Sequence, residues 1–114
     1  MQGKFRNIKA EYNGRVFASR KEMRRAVTLD WMEKIGIIRD LEKQHTFVLQ
    51  EGYVNNKGEK IRPICYIADF VYFSNEEKRW TVEDVKSPAT RTEVYRLKKK
   101  LFEKKYPEYY FIES

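Results

Sequence analysis

The sequence has very little of the residues that build disulfides and histidine-based metal sites. Cys65 and His45 are the only cysteine and histidine among 114 residues. A lone cysteine cannot form a disulfide within the chain and is typical of a reducing compartment, so we expect a cytoplasmic location. One cysteine and one histidine also exclude a zinc finger and a His-rich metal site. We expect both side chains to serve as packing residues.

Signals typical of several other protein classes are missing as well. No apolar run approaches the length of a membrane span, and residues 1–6 lack the apolar segment of a signal peptide. No GxxxxGK[ST] loop occurs, so we expect no nucleotide cofactor. No Gly-x-Ser-x-Gly elbow occurs, which argues against a serine-based hydrolase triad. We therefore expect no contact with a membrane.

What the sequence has in excess is positive charge and aromatic side chains. Lys and Arg number 24 against 17 Asp and Glu, which gives a net charge of +7. Such a balance favours a polyanionic partner, most simply nucleic acid. The 8 Tyr, 7 Phe and 2 Trp are sufficient for one core, and the chain length is typical of one domain. We expect a single domain over 1–114, with residues 1–9 as a basic arm.

Two helices are predicted from apolar spacing and capping residues. The first covers about 20–35, because Ser19 and Glu22 have the spacing of a capping box and Gly36 follows the last turn. The second covers 92–106 and ends before a proline. The apolar positions are expected to be Met23, Ala26, Val27, Trp31, Met32 and Ile35 in the first helix, and Val94, Leu97, Leu101 and Phe102 in the second.

Strands and turns complete the predicted fold. The dipeptide Asn13-Gly14 between apolar flanks predicts an N-terminal hairpin. The polar segment 51–60 is expected to be a loop or a protruding hairpin tip. Strands are expected over 45–50, 64–73, 79–87 and 109–112. The order is helix, three strands, helix, strand, so we predict an α/β fold in which a mixed central sheet is flanked by helices.

Three charged residues interrupt the apolar strands. Asp84 and Lys86 share one face of the third strand, and pairing across the turn at 74–78 would bring Asp69 close to Asp84. Two neighbouring carboxylates repel each other, and a hard divalent cation between them would remove that repulsion. The alternative is a structural ion pair that Lys86 forms with one of the aspartates at the end of the sheet.

Asp69, followed by Asp84-Val85-Lys86, resembles the motif of the PD-(D/E)xK nuclease superfamily, although Ala68 stands where the usual motif has proline. The predicted element order resembles the αβββαβ restriction-endonuclease-like core of that superfamily. A closer resemblance is to a small phage-encoded family similar to Holliday junction resolvases and T7 endonuclease I. It covers about residues 11–112 and rests on the segments 17–22, 41–44, 61–64, 66–70, 82–86 and 98–107.

The resemblance implies a metal-dependent phosphodiesterase. Asp69, Asp84, the Val85 carbonyl and Glu22 would hold Mg²⁺ or Mn²⁺, and Lys86 would orient the attacking water. Glu22 also has an alternative role as the N3 residue of the capping box. We choose Asp84 rather than the adjacent Glu83 because only Asp84 shares a face with Lys86.

Basic and polar groups near the acidic residues are candidates for DNA binding. The first helix begins with basic residues, and hydroxyl groups at the start of the second are suited to phosphate. Gln50, at the end of a strand, is a further candidate whose alternative role is that of an exposed amide. The candidate set is Arg20, Lys21, Arg24, Gln50, Thr90, Arg91, Thr92, Lys98 and Lys99.

The function expected from these features is cleavage of branched DNA, most specifically resolution of four-way junctions. A small chain without a target-reading domain suits recognition of DNA shape. Symmetric cutting of two strands requires two active sites, so we expect a homodimer. A phage-encoded protein of this kind would act in the cytoplasm of the infected host. The alternatives are a related nuclease for nicking, repair or restriction, an inactive DNA-binding module, and a basic protein that binds RNA or a protein.

Overall fold

The computed structural model describes residues 9–114, so the predicted basic arm, residues 1–9, lies outside the described residues except for Lys9. Two helices occur within this range, α1 (Arg20–Lys34) and α2 (Glu93–Lys105). A short 3-10 turn, Pro88–Thr90, precedes α2. The strands are β1 (Ala10–Tyr12), β2 (Arg15–Phe17), β3 (Ile38–Gln50), β4 (Tyr53–Val54), β5 (Lys60–Ile61), β6 (Ile64–Ser74), β7 (Arg79–Asp84) and β8 (Tyr110–Glu113).

Four strands form the central sheet in the order β3-β6-β7-β8. The pairs β3–β6 and β6–β7 are antiparallel, whereas β7–β8 is parallel. A parallel pair needs a crossover connection, and α2 supplies it between β7 and β8. The prediction of an α/β fold with a mixed central sheet and helices against it is therefore confirmed.

Two apolar clusters hold the helices on the sheet. The cluster next to α1 contains Phe17, Ala26, Leu29, Ile38, Phe70 and Tyr72. The cluster next to α2 contains Phe47, Leu49, Tyr66, Ala68, Val71, Val82, Tyr95 and Phe102. The second cluster is rich in aromatic rings, whose edge-to-face contacts add to the burial of apolar area.

Two small hairpins project from this core. Asn13 and Gly14 connect β1 to β2 with positive φ angles of 53° and 78°, as the predicted turn requires. Segment 51–60, predicted as a loop or a hairpin tip, forms the two-residue strand β4 and the start of β5, which pair with each other. These hairpins lie outside the four-stranded sheet.

The bounds of several predicted strands need correction. β3 begins at Ile38 rather than at residue 45, because an irregularity between Arg39 and Glu42 lets the strand continue through polar residues. Asp40 there has a φ of 55°, which interrupts the alternation on which the prediction depended. β7 ends at Asp84 rather than at residue 87.

The predicted apolar face of α2 was wrong in part. Val94, Leu97 and Leu101 are exposed, and Tyr95 and Phe102 are the buried residues of the helix. The larger aromatic rings fill the space above the sheet, so they decide how the helix is rotated. In α1, Val27, Trp31 and Ile35 are exposed, whereas Glu22, Ala26 and Leu29 are buried. Neither helix is long and apolar enough to cross a membrane, nor is any other helix within residues 9–114.

Candidate active site

Asp69 and Asp84 lie next to each other on the antiparallel strands β6 and β7. The backbone N–H of Asp69 donates to Asp84 Oδ1 at 2.9 Å, and the N–H of Val85 donates to Asp69 Oδ2 at 2.8 Å. These two hydrogen bonds lie one residue beyond the β6–β7 pair of Phe70 and Glu83, at the end of β7. The predicted proximity of the two aspartates is therefore found in the structure.

The side-chain alternation of β6 changes phase next to Asp69. Tyr66 packs in the cluster on the α2 side, whereas Phe70, four residues later, packs in the cluster on the α1 side. In a regular strand two residues four apart share a face. On the neighbouring strand β3, Gln44 has a φ of 59°, a conformation that is unusual for a residue other than glycine. The irregularity falls at the level of the sheet at which Asp69 meets Asp84.

Asp84 is almost fully buried and has three polar neighbours. The hydroxyl of Tyr66 donates to its Oδ2, the N–H of Asp69 donates to its Oδ1, and Lys86 Nζ lies 3.8 Å from Oδ2. The Lys86 ammonium also lies 4.1 Å from the centre of the Tyr95 ring. The predicted common face of Asp84 and Lys86 agrees with this geometry.

Glu22 is a buried carboxylate on the first turn of α1. The Ser19 hydroxyl caps the helix by accepting from the N–H of Glu22 at 3.1 Å. The Glu22 side chain turns towards the sheet, where its Oε2 accepts from Gln44 Nε2 at 3.1 Å. Only one half of the predicted capping box is thus made, and the glutamate belongs to the same cluster as the aspartates.

Two carboxylates of this group bind protons more readily than free carboxylates do. Burial, followed by the negative charges of Asp69 and Asp84, raises the pKa of Glu22 to about 7, opposed by Lys86 and Gln44. Burial followed by the charge of Asp84 raises the pKa of Asp69 to about 6, opposed by the N–H of Val85 and by Lys86. We call Glu22, Asp69 and Asp84 the carboxylate cluster.

Gln44 is the site residue that the sequence analysis missed. Its Nε2 lies 3.1 Å from Glu22 Oε2 and 3.4 Å from Asp69 Oδ1, so its amide bridges two members of the carboxylate cluster. Gln44 ends the segment 41–44 on which the family resemblance partly rests, but that resemblance gave it no role. Its register opposite Asp69 would have indicated one, and that register depends on the strand irregularity.

Of the predicted basic residues at the start of α1, Lys21 borders the cluster. A cavity of about 310 Å³ is lined by Glu22, Asp69, Val85 and Lys86 together with Lys21. Lys21 Nζ donates to the carbonyl oxygen of Lys86 at 2.7 Å, which joins the first turn of α1 to the segment after β7. Arg20 and Arg24 are exposed on the same part of the helix.

The predicted residues near α2 have different surroundings. Thr90 lines the same cavity, and its hydroxyl accepts from the N–H of Ser87 at 2.9 Å. The Thr92 hydroxyl caps α2 by accepting from the N–H of Tyr95. Arg91 and Lys99 both approach Glu113, at 3.2 Å and 3.6 Å, so their charges are partly neutralised within the chain. Lys98 is half-buried on α2.

Gln50 lies far from the cluster. It pairs with Ile64 at the far end of β3, whereas Asp69 lies five positions further along β6. At about 3.3 Å per strand residue, that separation is roughly 17 Å. At that distance Gln50 cannot contact water on a cation held by the cluster, because the longer β3 places a different glutamine opposite Asp69, whereas its contact with a DNA phosphate stays a prediction.

Glu83, the carboxylate next to Asp84, is a separate buried group on the α1 side of the sheet. Arg25 Nε donates to its Oε2, Arg25 Nη2 donates to its Oε1 at 3.0 Å, and the Tyr72 hydroxyl donates to Oε1 at 2.8 Å. A bidentate guanidinium satisfies this carboxylate. The choice of Asp84 over Glu83 for the cluster is consistent with this pairing.

The carboxylate cluster does not form a ready-made coordination shell. Across residues 9–114, no three His, Cys, Asp or Glu side chains are arranged so that they could hold a metal ion. The Gln44 amide lies between Glu22 and Asp69, and Asp84 Oδ2 accepts from Tyr66. The donor set nevertheless fits a hard cation, since it offers carboxylate oxygens whose mutual repulsion a positive charge would relieve.

The chain belongs to the family described as protein of unknown function (DUF1064), whose model matches residues 2–112. No curated protein and no solved structure matches the chain. The family match therefore covers nearly the whole chain but does not indicate what chemistry the site performs.

Proposed function

We propose that this member of the DUF1064 family is a metal-dependent endonuclease that cuts branched DNA, with four-way junctions as the preferred substrate. The observation that carries the proposal is the meeting of Glu22, Asp69 and Asp84 beside Lys86. Nucleases that use divalent cations need oxygen ligands and a nearby cationic group at the same point.

The architecture is consistent with this proposal. Leaving aside the two small hairpins, α1, β3, β6, β7, α2 and β8 follow in the order helix, three strands, helix, strand. We propose that these elements form a restriction-endonuclease-like core of the PD-(D/E)xK type. In such a core the motif residues come from the two adjacent central strands, and here Asp69 is on β6 while Asp84 ends β7.

Four groups would hold a divalent cation: the carboxylates of Asp69, Asp84 and Glu22 and the carbonyl oxygen of Val85. Mg²⁺ is the expected ion, and Mn²⁺ would substitute for it. When bound, such an ion lowers the pKa of water and stabilises the charge that develops on the phosphate. Among the four groups, Asp69 and Asp84 already have fixed positions because each accepts a backbone N–H.

Lys86 is the residue that would stabilise the charge developing on the phosphate and position the attacking water. Its ammonium lies 3.8 Å from Asp84 Oδ2 and borders the cavity that the cluster lines. From there it would donate to a phosphate oxygen and orient the attacking water. The Tyr95 ring beneath it and the hydrogen bond from Lys21 to the Lys86 carbonyl hold this segment in place.

The choice of DNA as substrate depends on charge near the site. Lys21 lines the cavity, Arg20 and Arg24 are exposed on the same first turns of α1, and the net charge of the chain is +7. Phosphate groups would be bound by these side chains without reading base sequence. Symmetric cutting of a junction requires two such sites, so we propose that the active form is a homodimer.

A cleavage assay tests the proposal directly. Purified protein is incubated with a labelled four-way junction, a flap and a linear duplex, each with Mg²⁺ or with EDTA. We expect cutting of the junction in Mg²⁺ and no cutting in EDTA. Equal cutting of all three substrates would support a nuclease of different specificity, and no cutting of any would contradict the proposal.

A second candidate is a basic DNA-binding domain without catalytic activity. It is favoured by the backbone N–H groups that already satisfy one oxygen of Asp69 and one of Asp84. In that case the junction would be bound equally well in Mg²⁺ and in EDTA and would remain intact. A gel-shift measurement on the same substrates separates this candidate from the first.

A further inference from the structure

Gln44 lies on β3 directly opposite Asp69, since its neighbours Lys43 and His45 pair with Phe70 and Ala68. Its backbone is in the left-handed region with a φ of 59°. A strand residue other than glycine takes this conformation only where the surrounding structure fixes it. Here the conformation coincides with a side chain that reaches two carboxylates.

The amide of Gln44 lies within reach of both Glu22 and Asp69. Its Nε2 lies 3.1 Å from Glu22 Oε2 and 3.4 Å from Asp69 Oδ1. A carboxamide has a donating end and an accepting end, and rotation about its last bond exchanges the two. The same side chain can therefore present N–H to carboxylates or an oxygen to a cation without any movement of the backbone.

The two distances fit a ligand position. Oxygen ligands lie about 2.1 Å from Mg²⁺ in octahedral geometry, so neighbouring ligands are about 3.0 Å apart. The terminal atom of Gln44 is at nearly this separation from both carboxylate oxygens. Amide oxygens are also accepted ligands of hard divalent cations.

We propose that Gln44 is a switching ligand, whose amide N–H groups bridge Glu22 and Asp69 and whose amide oxygen turns to a divalent cation when one binds. This inference rests on the proposed function, because it takes the carboxylate cluster as the cation site. Gln44 would then be a ligand from β3, in addition to the motif formed by Asp69, Asp84 and Lys86.

Nuclear magnetic resonance of the wild-type protein gives the first test. The side-chain NH₂ signals of Gln44 are assigned and followed as Mg²⁺ is added. We expect them to shift strongly, since the N–H groups leave the two carboxylates, while the NH₂ signals of Gln50 stay unchanged. If the Gln44 signals stay in place while signals of Asp69 and Val85 move, the switching role is wrong.

Substitution gives the second test, with Mn²⁺ affinity measured by calorimetry. Gln44→Met keeps the length of the side chain but removes both its donor and its oxygen, so we expect affinity to fall at least about 10-fold. Gln44→Glu keeps an oxygen in place and adds a charge, so we expect tighter binding than in the wild type. Gln50→Met is the matched control, because it removes a glutamine from the same strand away from the cluster.

The outcomes separate the switching role from the proposed function. If the wild type does not bind Mn²⁺, the metal site fails and the role of Gln44 fails with it. If the wild type binds Mn²⁺ and Gln44→Met binds it equally or more tightly, only the role of Gln44 is overturned. In that case the amide merely fills the space until a cation replaces it.

Discussion

Glu83 and Asp84 are consecutive residues of β7 and are 0% and 1% exposed, yet their carboxylates have very different surroundings. Glu83 faces α1, where Arg25 binds it through two nitrogens and Tyr72 donates a third hydrogen bond. Asp84 faces the other side of β7 and has one ammonium, Lys86, at 3.8 Å. The same ammonium also lowers the pKa of the neighbouring carboxylates Asp69 and Glu22.

The difference shows how two buried charges of the same sign can have separate roles. A buried carboxylate is costly unless a cation or hydrogen-bond donors compensate it. Glu83 is compensated within the chain by a guanidinium of matching geometry. In the carboxylate cluster, burial and the repulsion between acidic groups raise the pKa of Glu22 and of Asp69, and Lys86 opposes both shifts. The proposed cation would relieve this repulsion.

The largest effect is expected from changes in the cluster and at its lysine. Asp69→Asn, Asp84→Asn and Lys86→Ala should each reduce DNA cutting by about 10²–10⁴-fold, because each removes a proposed metal ligand or the group proposed to orient the attacking water. Junction binding should change little. The measurement is single-turnover cleavage beside a gel-shift assay, with the exposed Glu76→Gln as control. Full activity in any of the three variants would remove that residue from the site.

Breaking the Glu83 pair should act on stability. Glu83→Gln leaves the Arg25 charge without its partner, and we expect a loss of about 3 kcal/mol, the lower end for buried pairs because Arg25 is partly exposed. Urea unfolding measures the change. Glu77→Gln, which disrupts an exposed pair with Arg79 at 3.9 Å, should change stability by less than about 1 kcal/mol. A similar small loss for Glu83→Gln would contradict its structural role.

Two tyrosines allow a matched comparison of the two carboxylates. Tyr72→Phe removes a donor to Glu83, and Tyr66→Phe removes a donor to Asp84. Each should reduce the free energy of unfolding by about 1.5–3 kcal/mol, the range for a hydrogen bond to a charged group. Only Tyr66→Phe should also change Mn²⁺ affinity, measured by calorimetry. An equal effect of both on Mn²⁺ binding would mean that the two carboxylates are not separate.

The smallest effect is a pH dependence that belongs to the cluster alone. Because the folded-state pKa of Glu22 is raised from 4.5 to about 7, the folded protein binds more protons than the unfolded chain between these values. Its contribution to stability is therefore present at low pH and is lost as the pH rises towards 7 and above. Metal-free protein should melt at a lower temperature at pH 8 than at pH 5.5.

Glu22→Gln provides the control for this pH effect, since glutamine cannot ionise and keeps the position in the helix. We expect the variant to melt at a higher temperature than the wild type at pH 8 in EDTA and to show a weaker dependence on pH. Added Mg²⁺ should stabilise the wild type more at pH 8 than at pH 5.5, because cation binding needs the ionised carboxylates. If the melting temperature in EDTA depends equally on pH in the two proteins, the raised pKa of Glu22 is contradicted.

Most of the elements could be predicted from local patterns. The Asn13-Gly14 turn and the Ser19 cap are encoded by residues next to each other in the chain, and both are found. The apolar face of α2 could not be predicted correctly, because that helix carries apolar residues on two sides. Packing of Tyr95 and Phe102 against the sheet decides which side is buried.

The part of the site formed by the β6–β7 hairpin could be predicted from the sequence, whereas the residue contributed by β3 could not. Asp69 and Asp84 follow from the pairing of β6 with β7 across a short turn. Gln44 depends on the register of β3 against β6, which an irregularity between Arg39 and Glu42 shifts. An irregular register has no clear sequence signal, and so Gln50 was chosen in place of Gln44.

The sequence by itself determined the helices, the turns, the central hairpin and the positive charge, because capping, alternation and composition act over a few residues or over the whole chain. Only the tertiary structure decided which side chains from other elements join or leave the pair of aspartates. It placed Glu83 on Arg25, turned Glu22 away from its own helix terminus and set Gln44 between Glu22 and Asp69. These contacts join residues 22 to 58 positions apart, and only packing of α1 and β3 against the sheet brings them within hydrogen-bond distance.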